Sequence, residues 1–141
     1  MNRPLKVYLA APYGDKDLMN QWKKDLEAMG IEVTSRWLDE PHSANTTLKD
    51  DLKSMYADFD VEDVDRADIL IFKSYPETTL IPRGGRHVEF GYAMGKKPIY
   101  VVGPKENIFH YRKNARIRHF KDWESLKCIV NAYIWVLRDE E

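Results

Sequence analysis

Short apolar runs along the chain are separated by longer stretches in which apolar residues recur every three or four positions. The short runs predict buried strands, and the longer stretches predict amphipathic helices. The predicted strands are 5–10, 31–37, 67–72, 98–102 and 116–120. Helices are predicted over 15–29, 48–66, from the Gly84-Gly85 turn to Met94, and over 122–138, with a short helix or ordered loop at 106–114.

Strand and helix alternate almost throughout, a pattern typical of α/β proteins with a mostly parallel sheet and right-handed crossovers. We therefore expect residues 1–141 to form a single domain, with about five strands and helices on both faces of the sheet. Ligands of such sheets bind beyond the carboxyl ends of the strands. The loop 38–47, rich in polar residues, follows one of these ends and is a candidate substrate loop.

The apolar positions within the helices predict which sides face the core. The second helix is expected to turn Leu52, Met55, Tyr56, Phe59 and Val64 inward, and the final helix Trp123, Leu126, Ile129, Val130, Tyr133, Ile134 and Leu137. Cys128 lies within the apolar run of the final helix and is expected to be a core residue.

Composition excludes several classes of function. A net charge of −1 gives no basic footprint for nucleic acid. A single cysteine excludes an intrachain disulfide and favours a reducing compartment, and no run approaches the ~20 apolar residues of a membrane span. We therefore expect a cytoplasmic protein that binds neither membranes nor nucleic acid.

Motifs for the common cofactors and metals are missing as well. The chain has no paired Cys and His for zinc and no calcium-loop pattern. The segment Ala10-Ala11-Pro12-Tyr13-Gly14 after the first strand matches neither a dinucleotide fingerprint nor a Walker loop. We expect no metal and no organic cofactor.

Glu89 follows the Gly84-Gly85 turn and is expected in the first turn of a helix, where backbone N–H groups and the helix dipole favour an anion. Two interpretations are open: the carboxylate merely complements the dipole, or it takes part in chemistry. Gly84, Gly85 and Gly91 leave the backbone bare around it, which suits close approach by a ligand.

Two further groups are candidates for chemistry. An acidic run offers one carboxylate that could project to the edge of the sheet, although spacing does not select it from Asp58, Asp60, Glu62, Asp63, Asp65 and Asp68. An aromatic set at predicted strand ends, Tyr8, Tyr13 and Trp37, fits either core packing or a slot that stacks a flat base.

Three segments together resemble the nucleoside 2-deoxyribosyltransferase family, whose relatives include nucleoside 5′-monophosphate N-glycosidases. They are Val7-Tyr8-Leu9-Ala10-Ala11-Pro12-Tyr13, the run from Asp60 to Ile71, and Gly85-Arg86-His87-Val88-Glu89-Phe90-Gly91-Tyr92-Ala93 followed by Lys97-Pro98-Ile99. The resemblance covers most of the chain. It implies a flavodoxin-like (Rossmann-like) sheet and cleavage of the bond between a base and C1′ of a sugar.

The resemblance also implies roles for individual residues. Glu89 falls on the family's nucleophile, Asp60 on the aspartate that assists the leaving base, and Tyr8 on the tyrosine that holds the nucleophile. Asn107 is similar to a residue that the transferases lend to a neighbouring subunit, so a homo-oligomer with sites near its interfaces is expected. The substrate-contacting residues are then expected to be Pro12, Tyr13, Trp37, Arg83, Gly85, Arg86, His87 and Asn107.

One position departs from the transferase pattern. Arg83 lies six residues before Glu89, where transferases of the family carry an acid and monophosphate hydrolases carry a small phosphate-contacting residue. Arg83 and Arg86 beside the glycine turn are candidates for holding a 5′-phosphate, and surface solvation is the alternative for both. The leading hypothesis is sugar transfer between bases; a nucleotide N-hydrolase and a non-catalytic nucleotide sensor are the alternatives.

Overall fold

In the computed structural model of the chain, residues 3–41, 48–113 and 116–139 are described, with side chains to Ala132. The strands are β1 (Lys6–Ala10), β2 (Glu32–Val33), β3 (Ile69–Lys73), β4 (Ile99–Val102) and β5 (Ile117–Phe120). The helices are α1 (Lys16–Ala28), α2 (Asp50–Arg66), α3 (Gly85–Ala93) and α4 (Trp123–Asp139). Short 3-10 turns cover Tyr13–Asp15, Arg36–Asp39 and Ile108–Tyr111.

All five strands pair in parallel, in the order β2-β1-β3-β4-β5. This is the strand order of flavodoxin-like folds, so the predicted fold class is confirmed. The chain crosses from β1 to β2 in one direction and from β2 to β3 in the other. Right-handed crossovers then put α1 and α2 on opposite faces of the sheet, and the reversal between β1 and β3 opens a crevice at their carboxyl ends.

The core is centred on β1, β3 and β4, whose side chains are almost all buried because helices cover both faces. On one face, α1 and α4 meet through the stacked rings of Trp22 and Trp123, 4.2 Å apart between centroids. On the other face, α2 packs beside α3. The first strand therefore lies beneath α3, and this position decides what the residues of α3 can reach.

The second strand is shorter than predicted. It ends at Val33 rather than Trp37, because the backbone N–H of Leu9 is taken by the side-chain oxygen of Ser35 at 2.8 Å instead of a strand carbonyl. The chain then turns into Arg36–Asp39. Side-chain hydrogen bonds that end a strand leave no trace in hydrophobic periodicity.

The prediction for the inward side of α2 is confirmed for Val64 but wrong for Leu52 and Met55. Leu52 and Met55 are 39% and 38% exposed, and the buried residues of the helix are Asp63 and Val64, near its C-terminus. A 17-residue helix is about 25 Å long, whereas the strands beneath it have at most five residues. The first half of α2 therefore extends past the carboxyl edge of the sheet. Asp60 lies near the point where the helix passes this edge.

The prediction for Cys128 is also wrong, since the cysteine is exposed. Leu126 and Val130 face the core, and a residue two positions from each lies on the far side of the helix. The predicted loop residues 42–47 and the side chains of Tyr133, Ile134 and Leu137 lie outside the described part of the chain. Among the described helices, none has the length and apolar content needed to cross a membrane.

Candidate active site

Tyr8 and Glu89 meet across the β1–α3 contact. Tyr8 lies in the middle of β1 and is fully buried. Its hydroxyl donates a hydrogen bond to Oε2 of Glu89, the fifth residue of α3. The partnership implied by the resemblance is therefore present as a direct contact, and it holds the carboxylate in one orientation.

Glu89 is not in the first turn of α3, contrary to the sequence-based expectation. The helix begins at Gly85, with Gly84 as its N-cap, and its first turn has no acidic residue. The dipole effect decays within that turn, so it does not keep Glu89 ionised. Burial instead raises the pKa of Glu89 to about 8, opposed by the Tyr8 hydrogen bond and reinforced by the charges of Asp60 and Asp63.

Among the acidic residues at 58–68, Asp60 has the surroundings that best suit a general acid. It is half-buried on α2, and its buried Oδ1 atom has no hydrogen-bond partner among the described residues. Burial raises the pKa of Asp60 to about 7; the charges of Glu40 and Asp63 add to this shift, and Arg36 opposes it. A carboxyl group with such a pKa holds or releases a proton near neutral pH, as a general acid must.

Tyr8 remains a proton donor in this setting. Burial first, and then the charges of Glu89 and Asp60, raise the pKa of its hydroxyl well above the usual value. A phenol that stays protonated can hold Glu89 without competing for its proton.

Asp63 was not distinguished from its neighbours by sequence reasoning. It is fully buried and accepts hydrogen bonds from the backbone N–H of Arg36 at 2.9 Å and from the Arg36 and Arg66 guanidinium groups at 2.8 and 2.9 Å. Its place on the same face as Asp60, three residues later, is a signal available from helical spacing.

Trp37 does not line an open slot. It is 5% exposed, its indole N–H donates to the Leu9 carbonyl at 2.9 Å, and its ring lies 5.6 Å from that of Tyr13. Tyr13 is half-buried at the end of β1, after Pro12, and contacts the Glu40 carboxylate at 3.4 Å. The buried Trp37 thus packs against Tyr13, and of these two aromatic residues Tyr13 is the one that remains partly exposed at the end of β1.

Arg86 is neither solvated nor free to meet a phosphate. It is 3% exposed, and its guanidinium makes two hydrogen bonds to Glu106, one of them 2.6 Å long. It also donates to the Lys73 carbonyl at 3.1 Å, while Glu106 accepts from the Tyr75 N–H at 2.9 Å. The structure therefore assigns Arg86 to a clamp that joins the start of α3 to the loops after β3 and β4.

Arg83, in contrast to Arg86, is not buried. It is exposed and makes no ion pair within the described residues. Its φ of 77° and the 70° of Gly84 place two successive residues in the left-handed region, which is uncommon for a non-glycine residue and is a form of local strain. Gly85 follows as the first residue of α3, and an added Cβ there would meet open space.

His87 and Asn107 come together, but away from Glu89. Their side chains are 3.4 Å apart at a cavity of about 280 Å³, which Phe90, Gly91, Met94 and Phe109 also line. His87 and Gly91 are each two positions from Glu89, about 200° around the helix. The cavity therefore lies on the other side of α3 from the Tyr8–Glu89 pair.

The site thus has one buried carboxyl group held by a tyrosine and a second carboxyl group with a raised pKa, next to the open end of the β1–β3 crevice. A retaining glycosidase mechanism needs two such groups, one as nucleophile and one as acid. No cluster of His, Cys, Asp or Glu suited to a metal ion occurs among the residues that the structure describes.

Comparison with solved structures finds relatives of the same fold. The fold is similar to that of a CMP N-glycosidase from Clostridium botulinum, with a TM-score of 0.54 and 19% identity over 91% of this chain and 98% of that chain. It is also similar to a 2-deoxyribosyltransferase from Bacillus psychrosaccharolyticus, with a TM-score of 0.55 and 20% identity over 86% of this chain and 90% of that chain.

A search of curated protein sequences gives no match. The model of the nucleoside 2-deoxyribosyltransferase family matches residues 7–124, a segment that includes β1, both carboxyl groups and α3. The chain therefore belongs to the nucleoside 2-deoxyribosyltransferase family of enzymes.

Proposed function

We propose that the protein cleaves the N-glycosidic bond of a (deoxy)nucleoside through a covalent glycosyl-Glu89 intermediate and transfers the sugar to another base. The observation that carries this proposal is the hydrogen bond from Tyr8 to Glu89 beside Asp60, whose pKa is raised. Family membership supports the reaction class.

In the first half-reaction, the ionised carboxylate of Glu89 attacks C1′ and forms a C1′–O bond. The C1′–N bond breaks, its electron pair stays on the base nitrogen, and that nitrogen takes the proton of Asp60. In the second half-reaction, a nitrogen of the acceptor base attacks C1′ and displaces Glu89, while the Asp60 carboxylate takes the proton that the acceptor loses. Atoms, charges and protons balance without a cofactor.

The active form of the pair holds one proton, on Asp60. Since the pKa values of Asp60 and Glu89 are about 7 and about 8, the singly protonated pair is most populated between these values. Because the pKa of Glu89 is the higher of the two, the proton of the substrate-free pair lies mainly on Glu89, and the active arrangement is the minor one. The Tyr8 hydrogen bond lowers the pKa of Glu89 and so raises the population of the active arrangement.

A chromatographic assay tests this function. Purified protein is incubated with nucleosides and with nucleoside 5′-monophosphates, with and without a second base. A new nucleoside that forms only with the second base, with no free sugar, is the expected result. Tight nucleotide binding without turnover would overturn the proposal and favour the nucleotide sensor.

The second candidate is hydrolysis of a (deoxy)nucleoside 5′-monophosphate, in which water replaces the acceptor base. Arg83 favours this candidate, because it is exposed beside the start of α3 and forms no ion pair with the residues that the structure describes. A guanidinium and helix N–H groups suit a phosphate. Release of free sugar phosphate from a monophosphate, with no need for a second base, would select this candidate.

Arg83→Gly separates phosphate binding from folding. Glycine tolerates the positive φ, so the variant should be as stable as the wild type or more stable by about 1 kcal/mol. If Arg83 contacts the phosphate, the KM for the monophosphate should rise roughly tenfold or more, with little change for the nucleoside. An unchanged ratio of KM values would rule out the contact; Arg118→Ala, on the edge strand β5, is the control.

We also propose that the protein forms a homo-oligomer through the side of α3 that carries the cavity. Large apolar side chains are exposed there and on the adjoining Ile108–Tyr111 turn: Val88, Ile108, Phe109 and Tyr111, at 71, 78, 51 and 59%. Exposed apolar patches of this kind mark interaction sites. Asn107 lies at the same cavity, consistent with a role near a subunit boundary.

A further inference from the structure

The C-terminal half of α2 carries an ion pair that the proposed reaction does not use, in which Asp63 is buried and the Arg36 side chain is 41% exposed. Asp63 is fully buried and Arg36, its partner, begins the turn that leads to Trp37 and Glu40. Both Asp63 oxygens are engaged, Oδ1 with the Arg36 Nε atom and with Arg66, and Oδ2 with the Arg36 backbone N–H. Thr34 adds a hydrogen bond of 2.7 Å to the Asp63 carbonyl.

These contacts fix two elements of the site against each other. Asp60 lies one helical turn before Asp63, so whatever holds Asp63 also holds Asp60. Arg36 is held from several sides at once, because its guanidinium also donates to Glu62 at 2.7 Å and lies 4.1 Å from the ring of Phe59. These contacts hold the guanidinium in one position, from which its charge lowers the pKa of Asp60.

The position of the Arg36 guanidinium affects the protonation of Asp60, because few other charges around Asp60 are positive. Six ionisable groups from five elements either act on Asp60 through their charges or have their own pKa raised by its charge: Glu40, Arg36, Asp63, Tyr8, Tyr13 and Glu89. Arg36 is the one cation in this set, and Asp63 is the carboxylate that anchors it. A displaced Arg36 would change the balance between the protonated and ionised forms of the acid.

We propose that Asp63 is a positioning residue for catalysis: it locks Arg36 behind Asp60 and so fixes both the location of the acid and the charge that it experiences. This inference rests on the proposed function for its kinetic consequences. Its electrostatic part stands independently, because the two ends of one ion pair act on Asp60 with opposite sign.

The test compares Asp63→Asn with Arg36→Gln. Asparagine keeps the shape of Asp63, and its Oδ1 atom still accepts from the Arg36 Nε atom, whereas its NH2 group meets the Arg36 backbone N–H without a hydrogen bond. The variant removes the negative charge and leaves the guanidinium held, so Asp60 should titrate lower by about one pH unit. Arg36→Gln removes the positive charge, so Asp60 should titrate higher. The titration is followed by NMR of the labelled Asp60 carboxyl carbon in the substrate-free protein, and in parallel by the pH profile of kcat.

Opposite displacements in the two variants are the expected result, with kcat changing more than KM at neutral pH. Glu62→Gln is the matched control, because Glu62 pairs with the same guanidinium but its side chain is 61% exposed. In this variant, Asp60 should titrate as it does in the wild type. Equal titration in all variants, or displacement in the same direction, would reduce Asp63 to a stabilising contact and overturn the proposal.

Failure of the proposed function and failure of the proposed role of Asp63 give different results. If the wild type releases no base from any nucleoside or nucleotide, the proposed function is wrong, whereas the NMR titration still decides the role of Asp63. If Asp63→Asn does not fold, Arg36→Gln and Arg36→Lys carry the comparison: Lys should retain the wild-type titration more closely than Gln, and equality of the two would contradict the inference.

Discussion

Glu89 and Asp60 are both acids, and their surroundings decide how they differ. Burial raises the pKa of Glu89 to about 8, and the hydrogen bond from the Tyr8 hydroxyl opposes this by favouring the charged form. Asp60 has a buried oxygen without a partner in the described residues, which favours its protonated form. The proposed roles of nucleophile and acid rest on this contrast in hydrogen bonding.

Replacing Tyr8 by Phe tests the hold on Glu89. Loss of a hydrogen bond to a charged group should reduce kcat/KM by roughly 10–100-fold, and the pKa of Glu89 should rise further. Steady-state kinetics across pH measure both effects. Tyr100→Phe, at another buried strand tyrosine, is the control; equal activity in the two variants would contradict the role of Tyr8.

The raised pKa of Glu89 also predicts a stability effect. Between its unfolded value near 4.5 and its folded value of about 8, the native state binds more protons than the unfolded state, so stability falls as pH rises through this window. Glu89→Gln removes this dependence and keeps an acceptor for Tyr8. Relative to the wild type, it should gain at least about 1 kcal/mol between pH 5 and pH 9; urea unfolding at both pH values measures the gain, and a constant difference would contradict it.

At the scale of elements, α3 is positioned by the Arg86–Glu106 clamp. The Arg86 side chain is 1% exposed and that of Glu106 is 11% exposed, so removing one partner leaves a buried charge. Glu106→Gln should lower the free energy of unfolding by roughly 3–5 kcal/mol, measured by urea unfolding. Replacing both partners by Met and Leu should recover most of the loss.

Another bidentate pair serves as the reference for the clamp. Arg3 bonds Asp68 at 2.6 and 2.8 Å, but its side chain is 63% exposed. Arg3→Gln should therefore cost at most about 1 kcal/mol. If Glu106→Gln costs no more than Arg3→Gln, the clamp does not hold α3.

The elements also show what could be predicted from sequence and what could not. Alternating strand and helix patterns predicted the parallel sheet. Of the motif residues, Tyr8 bonds Glu89 directly, and the charge of Asp60 acts on both. Periodicity missed the early end of β2, because a Ser35 side chain ends it. It also missed the exposure of Met55 and Cys128, because it does not register where a helix extends past its sheet or which apolar run faces outward.

The functions of individual arginines were the least predictable. Arg83 and Arg86 flank the same glycine turn, yet one is exposed and the other is clamped by Glu106. That partner is 20 residues away in sequence, and pairings at this distance have no local pattern. Asp63 was missed for the same reason, since its contact with Arg36 crosses 27 residues.

At the scale of the whole molecule, the exposed apolar side of α3 predicts self-association. The wild type should run as a dimer or larger species in size-exclusion chromatography with light scattering. Phe109→Asp, which puts a charge in the apolar patch, should shift it toward monomer, whereas Leu18→Asp on α1 should not. A wild type that is monomeric at high concentration would contradict the proposed interface.

The proposed function depends on Glu89 as the group that attacks C1′. The most direct measurement is the rate of base release by Glu89→Ala, with any nucleoside or nucleotide that the wild type cleaves. We expect a loss of at least ~10³-fold, with the fold retained, because the proposed nucleophile is gone while Asp60 and the binding residues remain. Turnover at the wild-type rate would contradict it.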